Sequence, residues 1–139
     1  MALPTKIKLN IVSPDQSISQ EVDEVSMPGV EGDFGVLPGH TPFFTVLRPG
    51  TMWYRKGADK RYAYLGGGFA EVVPDRVSIL APVAENAEEI DRARAESAKR
   101  RAEERLQKAV PEIDFERARL ALIRSIGRLD ASKHARSRS

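Results

Sequence analysis

The sequence predicts an α+β chain, with an N-terminal β-sandwich, or flattened barrel, over residues 1–86 and an antiparallel two-helix hairpin over 87–131. A basic tail, 132–139, is expected to be disordered. Three observations carry the prediction. Nine of ten Gly, eight of nine Pro and eight of nine aromatic residues fall in the first part. That part reads as short β-branched and aromatic runs broken at close intervals by turn-forming pairs. Beyond residue 86, apolar residues recur instead at steps of three and four.

Ile7, Leu9 and Ile11 alternate with Lys6, Lys8 and Asn10, a period of two that turns one face to a core. A second stretch runs through Val22 and Val25 to Met27, and further strands are expected at 45–47, 51–54, 61–65, 69–73 and 76–80. Pro28/Gly29, Gly32/Asp33, Pro38/Gly39, Pro49/Gly50, Lys56/Gly57 and Pro74/Asp75 supply turn dihedrals between them. Tight returns without intervening helices point to a sandwich.

Asn86, followed by Glu89 three residues later, has the pattern of a capping box opening the first helix. Its stripe is Ala95, Ala98, Ala102, Leu106 and Ala109; Pro111 ends it, and Asp114 is placed to cap the next. The second stripe is Phe115, Ala118, Leu122, Ser125 and Leu129. Alanines allow close approach but bury little area, so the seam is weak and the hairpin is suited to dock, open or extend. Gly127 costs about 1 kcal/mol relative to Ala inside that helix.

Composition excludes much. With 139 residues, no Cys and only His40 and His134, the chain offers no disulfide framework, thiol nucleophile, thiolate zinc site or histidine-rich metal centre. No apolar run approaches the roughly 20 residues that span a bilayer, and the N-terminus lacks a secretory apolar region. Gly29-x-x-Gly32-x-x-Gly35 is not a dinucleotide fingerprint, and Gly66, Gly67 and Gly68 lack the Lys-Ser/Thr of a phosphate loop. No nucleophile–base constellation surrounds His40. A non-catalytic protein with no required cofactor is expected.

The net charge of +2 averages two unlike parts. Residues 1–86 carry 8 Lys and Arg against 10 Asp and Glu; the remainder carries 14 against 10, and eleven of the 14 are Arg. Asp91, Arg94, Arg101 and Arg105 share one side of the first helix, and Arg117, Arg124 and Arg128 a face of the second. Arg101/Arg105 and Arg124/Arg128 are like-charge i,i+4 pairs, mildly destabilising unless an anion lies between them. Guanidinium forks suit phosphate or an acidic protein surface. Nucleic acid is not expected, because acidic residues are interleaved and aromatics are nearly absent from the helices. From residues alone, a sandwich adaptor whose basic arm binds an acidic partner or RNA remains the alternative.

The stretch 22–42, V-D-E-V-S-M-P-G-V-E-G-D-F-G-V-L-P-G-H-T-P, resembles the signature of the epsilon subunit of rotary (F-type) ATP synthase, and the block 67–72, G-G-F-A-E-V, resembles a second. The order of sandwich and Ala-rich hairpin matches as well. The resemblance implies a central-stalk rotor subunit of a proton- or sodium-driven synthase. Its sandwich would bind the gamma subunit and the c-subunit ring through Glu31, Gly32, Asp33 and His40. Its hairpin would fold on the sandwich or extend into the alpha/beta catalytic hexamer and inhibit ATP hydrolysis. The subunit would be peripheral, at the cytoplasmic face of the bacterial inner membrane, touching the membrane only through the complex. Some bacterial members bind ATP through Ile/Leu-Asp-x-x-Arg-Ala, which stands here as Ile90-Asp91-Arg92-Ala93-Arg94-Ala95. The resemblance then assigns Asp91 and Ala95 to the adenine side and Arg94 to phosphate, with Arg101, Arg124 and Arg128 as further phosphate contacts and Glu85 just upstream.

Overall fold

The computed structural model describes residues 3–108 and 112–135. Strands β1 (Ile7–Val12), β2 (Ser17–Val22), β3 (Glu24–Gly29), β4 (Gly32–Val36), β5 (Phe43–Lys56), β6 (Asp59–Val73), β7 (Arg76–Leu80) and β8 (Ala84–Asn86) come first. A 3-10 turn (Ala87–Glu89) leads to helices α1 (Arg92–Lys108) and α2 (Glu112–Ser132). The sheet order is β2-β1-β7-β6-β5-β3-β4, with β8 also on β6; β1 and β7 run parallel and the other pairings are antiparallel. Its end strands β2 and β4 do not pair, so the sheet folds over a core without closing into a barrel.

The alternation read in the sequence accounts for that core. Ile7, Leu9 and Ile11 meet Val25, Met27, Val36, Met52, Leu65, Val77 and Ile79, all buried. Two long strands replace the four short ones expected at 45–73. β5 and β6 pair from Phe43↔Val72 to Lys56↔Asp59, so Pro49/Gly50 and Gly66 to Gly68 bend the ribbon rather than reverse it. The register skips Arg48 and Gly67 at that bend. Gly68 has φ +118°, and a Cβ there would lie 2.1 Å from the Leu80 carbonyl oxygen. Only glycine lets β6 pass so close to β7.

β2 and β4 were not anticipated. Along β2 only Val22 is buried, so the strand lacks a hydrophobic alternation, and β4 holds two glycines in five residues. Both are recruited by pairing with a neighbour already in place, β1 and β3 respectively. The helix starts also differ from expectation. The Asn86 side chain makes no capping bond to the backbone, and the chain returns to extended geometry at Ile90. Asp91 is the working cap: its Oδ1 accepts the Arg94 N–H at 3.0 Å. Asp114 lies inside α2, which begins at Glu112; Pro111 and Ala109 are outside the described residues.

The helices form an antiparallel hairpin, with Arg105 and Lys108 beside Asp114 and Arg117 at one end and Arg92 and Glu96 beside Leu129 and Lys133 at the other. Ala95, Ala102, Ala118 and Ser125 are buried along the seam. The Ser125 hydroxyl donates back to the Ala121 carbonyl at 2.8 Å, so a buried hydroxyl is satisfied within its own helix. The hairpin rests on the sheet through α2. Tyr64, Ile90 and Ala131, with Val83, form a small apolar cluster separate from the sandwich core. Thr51 donates to Asp130 at 2.7 Å, and His134 stacks on Tyr62 with ring centroids 4.0 Å apart. Ordered contact with the sheet therefore continues past residue 131.

Candidate functional site

Docking the hairpin encloses a cleft of about 430 Å³. β8 contributes Glu85, and the connector contributes Glu89, Ile90 and Asp91. Arg94, Ala95, Ala98 and Arg101 line it from α1, Ser125 and Arg128 from α2. Positions 85 to 128 thus converge because the chain turns twice, once at Ile90 and once between the helices. Small residues at 95 and 98 leave the space that the guanidinium groups surround.

Charge in the cleft is nominally balanced but unequally committed. Arg128 donates to Glu85 at 2.7 Å across the junction of hairpin and sheet. Asp91 spends one carboxylate oxygen on the α1 cap. Arg94 and Arg101 make no ion pair among the described residues. Arg94 lies in the first turn of α1, where the helix N-terminus itself favours negative charge, and Arg101 lies two turns further along. The cleft therefore suits an anion with an apolar portion against Ile90, Ala95 and Ala98.

Of the residues singled out in the sequence, Glu85, Ile90, Asp91, Arg94, Ala95, Arg101 and Arg128 meet in this cleft, and Arg124 does not line it. Arg124 still acts nearby. Burial pushes the Tyr64 phenol above its ordinary pKa, and the charges of Arg128 and Arg124 oppose that shift. The fold also separates the arginines that share a helix face: Arg105 and Arg117 line a groove at the other end of the hairpin, with Glu104 and Asp114.

The other expected contact residues have separate anchors. Glu31, Gly32 and Asp33 lie at the β3–β4 turn, where Arg48 pairs with Asp33 and donates to the Gly29 carbonyl at 2.6 Å. His40 lies in the loop after β4, with Nδ1 2.7 Å from the Thr41 carbonyl oxygen. The Gly39 N–H ties this loop to Pro74 at 2.7 Å. No hydrogen bond or ion pair among the described residues joins the turn to the histidine.

A second surface escaped the sequence reading. Val12, Leu80, Phe69 and Val46 stand opposite one another across β1, β7, β6 and β5, and all are exposed. Phe44 stacks on Phe69 with centroids 5.9 Å apart, and Val30 adjoins through its N–H to the Val46 carbonyl at 3.1 Å. Strand spacing makes this row about 14 Å wide. Its signal was present, since apolar residues occupy positions where the alternation calls for polar ones. Recognising it required the register that puts four strands side by side. Such a row is a candidate interaction surface.

Among the described residues, no helix is long and apolar enough to cross a membrane, and no group of three or more His, Cys, Asp or Glu could hold a metal ion.

Comparison with known proteins agrees with both parts of the fold. Residues 6–87 match the family described as ATP synthase, Delta/Epsilon chain, beta-sandwich domain, and residues 88–133 match the ATP synthase, Delta/Epsilon chain, long alpha-helix domain. The ATP synthase epsilon chain of Syntrophobacter fumaroxidans is 49% identical over 129 residues, covering 92% of this chain and 96% of that one. That of Bacillus licheniformis is 44% identical over 128 residues, covering 91% and 98%. Among solved structures, a chain of the Euglena gracilis mitochondrial ATP synthase, in an assembly described as OSCP/F1/c-ring, superposes with a TM-score of 0.86 at 28% identity. That match covers 96% of this chain and 85% of the other. A chain from the Tetrahymena thermophila central stalk and c-ring shares the fold at a TM-score of 0.61 and 12% identity, covering 94% and 99%. With both modules matched in order over nearly its whole length, the chain belongs to the ATP synthase Delta/Epsilon family as an epsilon chain, a stalk subunit and not a catalytic one.

Proposed function

We propose that this subunit joins the stalk through the outer face of its sandwich and restrains ATP hydrolysis through a hairpin whose docking responds to ATP. The gamma subunit takes the apolar row of Phe44, Val46, Phe69 and Leu80, because exposed aromatic and aliphatic groups across three strands gain most from burial against a protein partner. The c-subunit ring meets the Glu31–Asp33 turn and the His40 loop. Undocked, the hairpin presents Arg-rich helices to the acidic surfaces of the alpha/beta hexamer. The subunit works at the cytoplasmic face of a bacterial membrane and touches the bilayer only through its partners.

One observation carries the regulatory reading: the arginine-lined cleft of the hairpin and its connector is completed by Glu85 of the sheet, which accepts from Arg128, so docking of the hairpin finishes the site. Its size falls within the ~300–1,000 Å³ common for small-molecule sites. A triphosphate meets Arg94 and Arg101 and competes with Glu85 for Arg128, while an adenine ring lies toward Ile90, Ala95 and Ala98. A ligand bound only to the docked form stabilises it by RT ln(1 + [L]/Kd), about 2.7 kcal/mol at 100 times Kd. That adds to the few contacts holding the hairpin on the sheet: one small apolar cluster, the Thr51–Asp130 bond, the His134–Tyr62 stack and the Arg128–Glu85 pair.

The test is titration of the full chain with ATP, following amide exchange in 87–135. Saturable protection of α1 and α2 is expected, weakened in Arg94→Ala with the sandwich equally stable; no response up to millimolar ATP refutes the sensor. Inhibition is tested separately. Removing everything after Asn86 should raise ATP hydrolysis by the assembled complex, and unchanged hydrolysis refutes that role.

A further inference from the structure

Gly127 lies five residues before the end of α2, where glycine disfavours helix roughly fivefold relative to alanine. On local grounds it is a defect. The fold supplies a reason for it: a Cβ built on Gly127 would lie 2.7 Å from Cε1 and 3.2 Å from Cδ1 of Tyr64. Tyr64 projects from β6, is fully buried, and belongs to the small cluster with Ile90 and Ala131 rather than to the sandwich core. Its hydroxyl has no protein hydrogen-bond partner among the described residues. The Arg128 guanidinium, on the residue after Gly127, stands 5.4 Å from the Tyr64 ring centre while it bonds Glu85.

We infer that Tyr64 and Gly127 form a knob and notch that set how α2 seats on the sheet, and through that seating place Arg128 in the cleft. Neither residue lines the cleft, so both are positioning residues. The ring fits only where the helix surface lacks a Cβ, which admits one register of α2. A shift of one residue brings Arg128 or Ile126 against the ring instead. The hydroxyl keeps docking reversible: exposed to water when the hairpin leaves, it is stripped of hydrogen bonds when the hairpin returns. This deepens the regulatory reading above, since it concerns the same hairpin, but it rests on packing and not on any ligand.

The experiment compares the full chain with Gly127→Ala, and with Gly127→Ala combined with Tyr64→Leu, by amide exchange of α2 and by far-ultraviolet dichroism. Helix propensity alone says that Gly127→Ala strengthens the hairpin. The notch says the opposite: overpacking shifts the ratio of docked to undocked hairpin roughly tenfold or more toward undocked, with helix content retained or increased. Replacing the ring by the shorter, more flexible leucine in that background restores at least part of the lost protection. Docking in Gly127→Ala equal to or tighter than in the parent overturns the inference. So does a double variant no better docked than the single one. ATP titration of the same proteins separates the two readings. If the parent ignores ATP, the sensor falls while the exchange data still decide the notch.

Discussion

Truncating Phe44 to alanine tests the outer face of the sandwich as the seat of the gamma subunit. Phe44 is 65% exposed and Phe69, stacked on it, 48%. A phenylalanine presents about 200 Å² in all, so Phe44 holds about 130 Å² available to a partner. At about 25 cal/mol per Å², full burial is worth about 3 kcal/mol, a ceiling because association also orders side chains and desolvates the polar rim. Phe44→Ala should therefore weaken binding to gamma by about 1.5–3 kcal/mol, roughly 10- to 100-fold in Kd. Phe44→Asp should weaken it further, by asking a carboxylate to be buried without a partner. Neither change touches the core cluster, so thermal unfolding of the isolated chain should move little. Titration calorimetry against purified gamma measures the effect, with Lys99→Ala on α1 as a control expected to bind like the parent. Undiminished affinity in a folded Phe44→Asp protein would refute this use of the patch.

Three further predictions follow from particular contacts. The Gly57 N–H at 2.6 Å and then the Lys6 ammonium hold the Asp23 carboxyl below the usual carboxylate range. A depressed folded pKa gives stability that is complete above the unfolded value of about 4 and is lost as pH falls through the folded one. Urea unfolding between pH 7 and 3 should thus show a steeper acid loss for the parent than for Asp23→Asn; equal slopes refute the linkage. Asp91→Ala removes the α1 cap and should cost that helix about 1 kcal/mol, while Asp91→Asn keeps the cap, a contrast readable in exchange at residues 93–95. Ala102→Leu overfills a seam where Ala102 and Ala118 are each 2% exposed; it should loosen the hairpin by about 1–3 kcal/mol in denaturant unfolding and leave the sandwich unaffected.

What could be read along the chain was what neighbouring residues dictate. The Ile7, Leu9, Ile11 alternation, the alanine stripe and the change of composition near residue 86 are local patterns, and each became the expected kind of element. β2 and β4 were illegible because their residues have little intrinsic preference for a strand and are held by partners. Pro49/Gly50 misled because a pair that reverses a chain can also bend one, and the paired strand decides which; the glycines at 66–68 mark the close backbone approach that their composition suggests. Asn86 and Asp91 compete for one capping role; Asp91 fills it because Ile90 is drawn into the cluster with Tyr64 and holds the backbone extended just before the helix.

The candidate site divides in the same way. Asp91, Arg94 and Ala95 are close in sequence, and a helix brings Arg101 to the same side, so part of the cleft could be read without a structure. By itself the sequence determined the two modules, the lack of thiol or clustered-histidine chemistry, and the surplus of arginine in the second module. The tertiary structure decided which arginines meet Glu85, that Arg124 stands outside, and that Phe44, Phe69 and Leu80 form one surface. It also turned Gly127 from a weak point in a helix into the place where Tyr64 fits. The reason is physical: propensity and periodicity act between residues a few positions apart. Clefts, apolar faces and notches are made by residues far apart in the chain, whose distances exist only once the sheet has its register and the hairpin its seat.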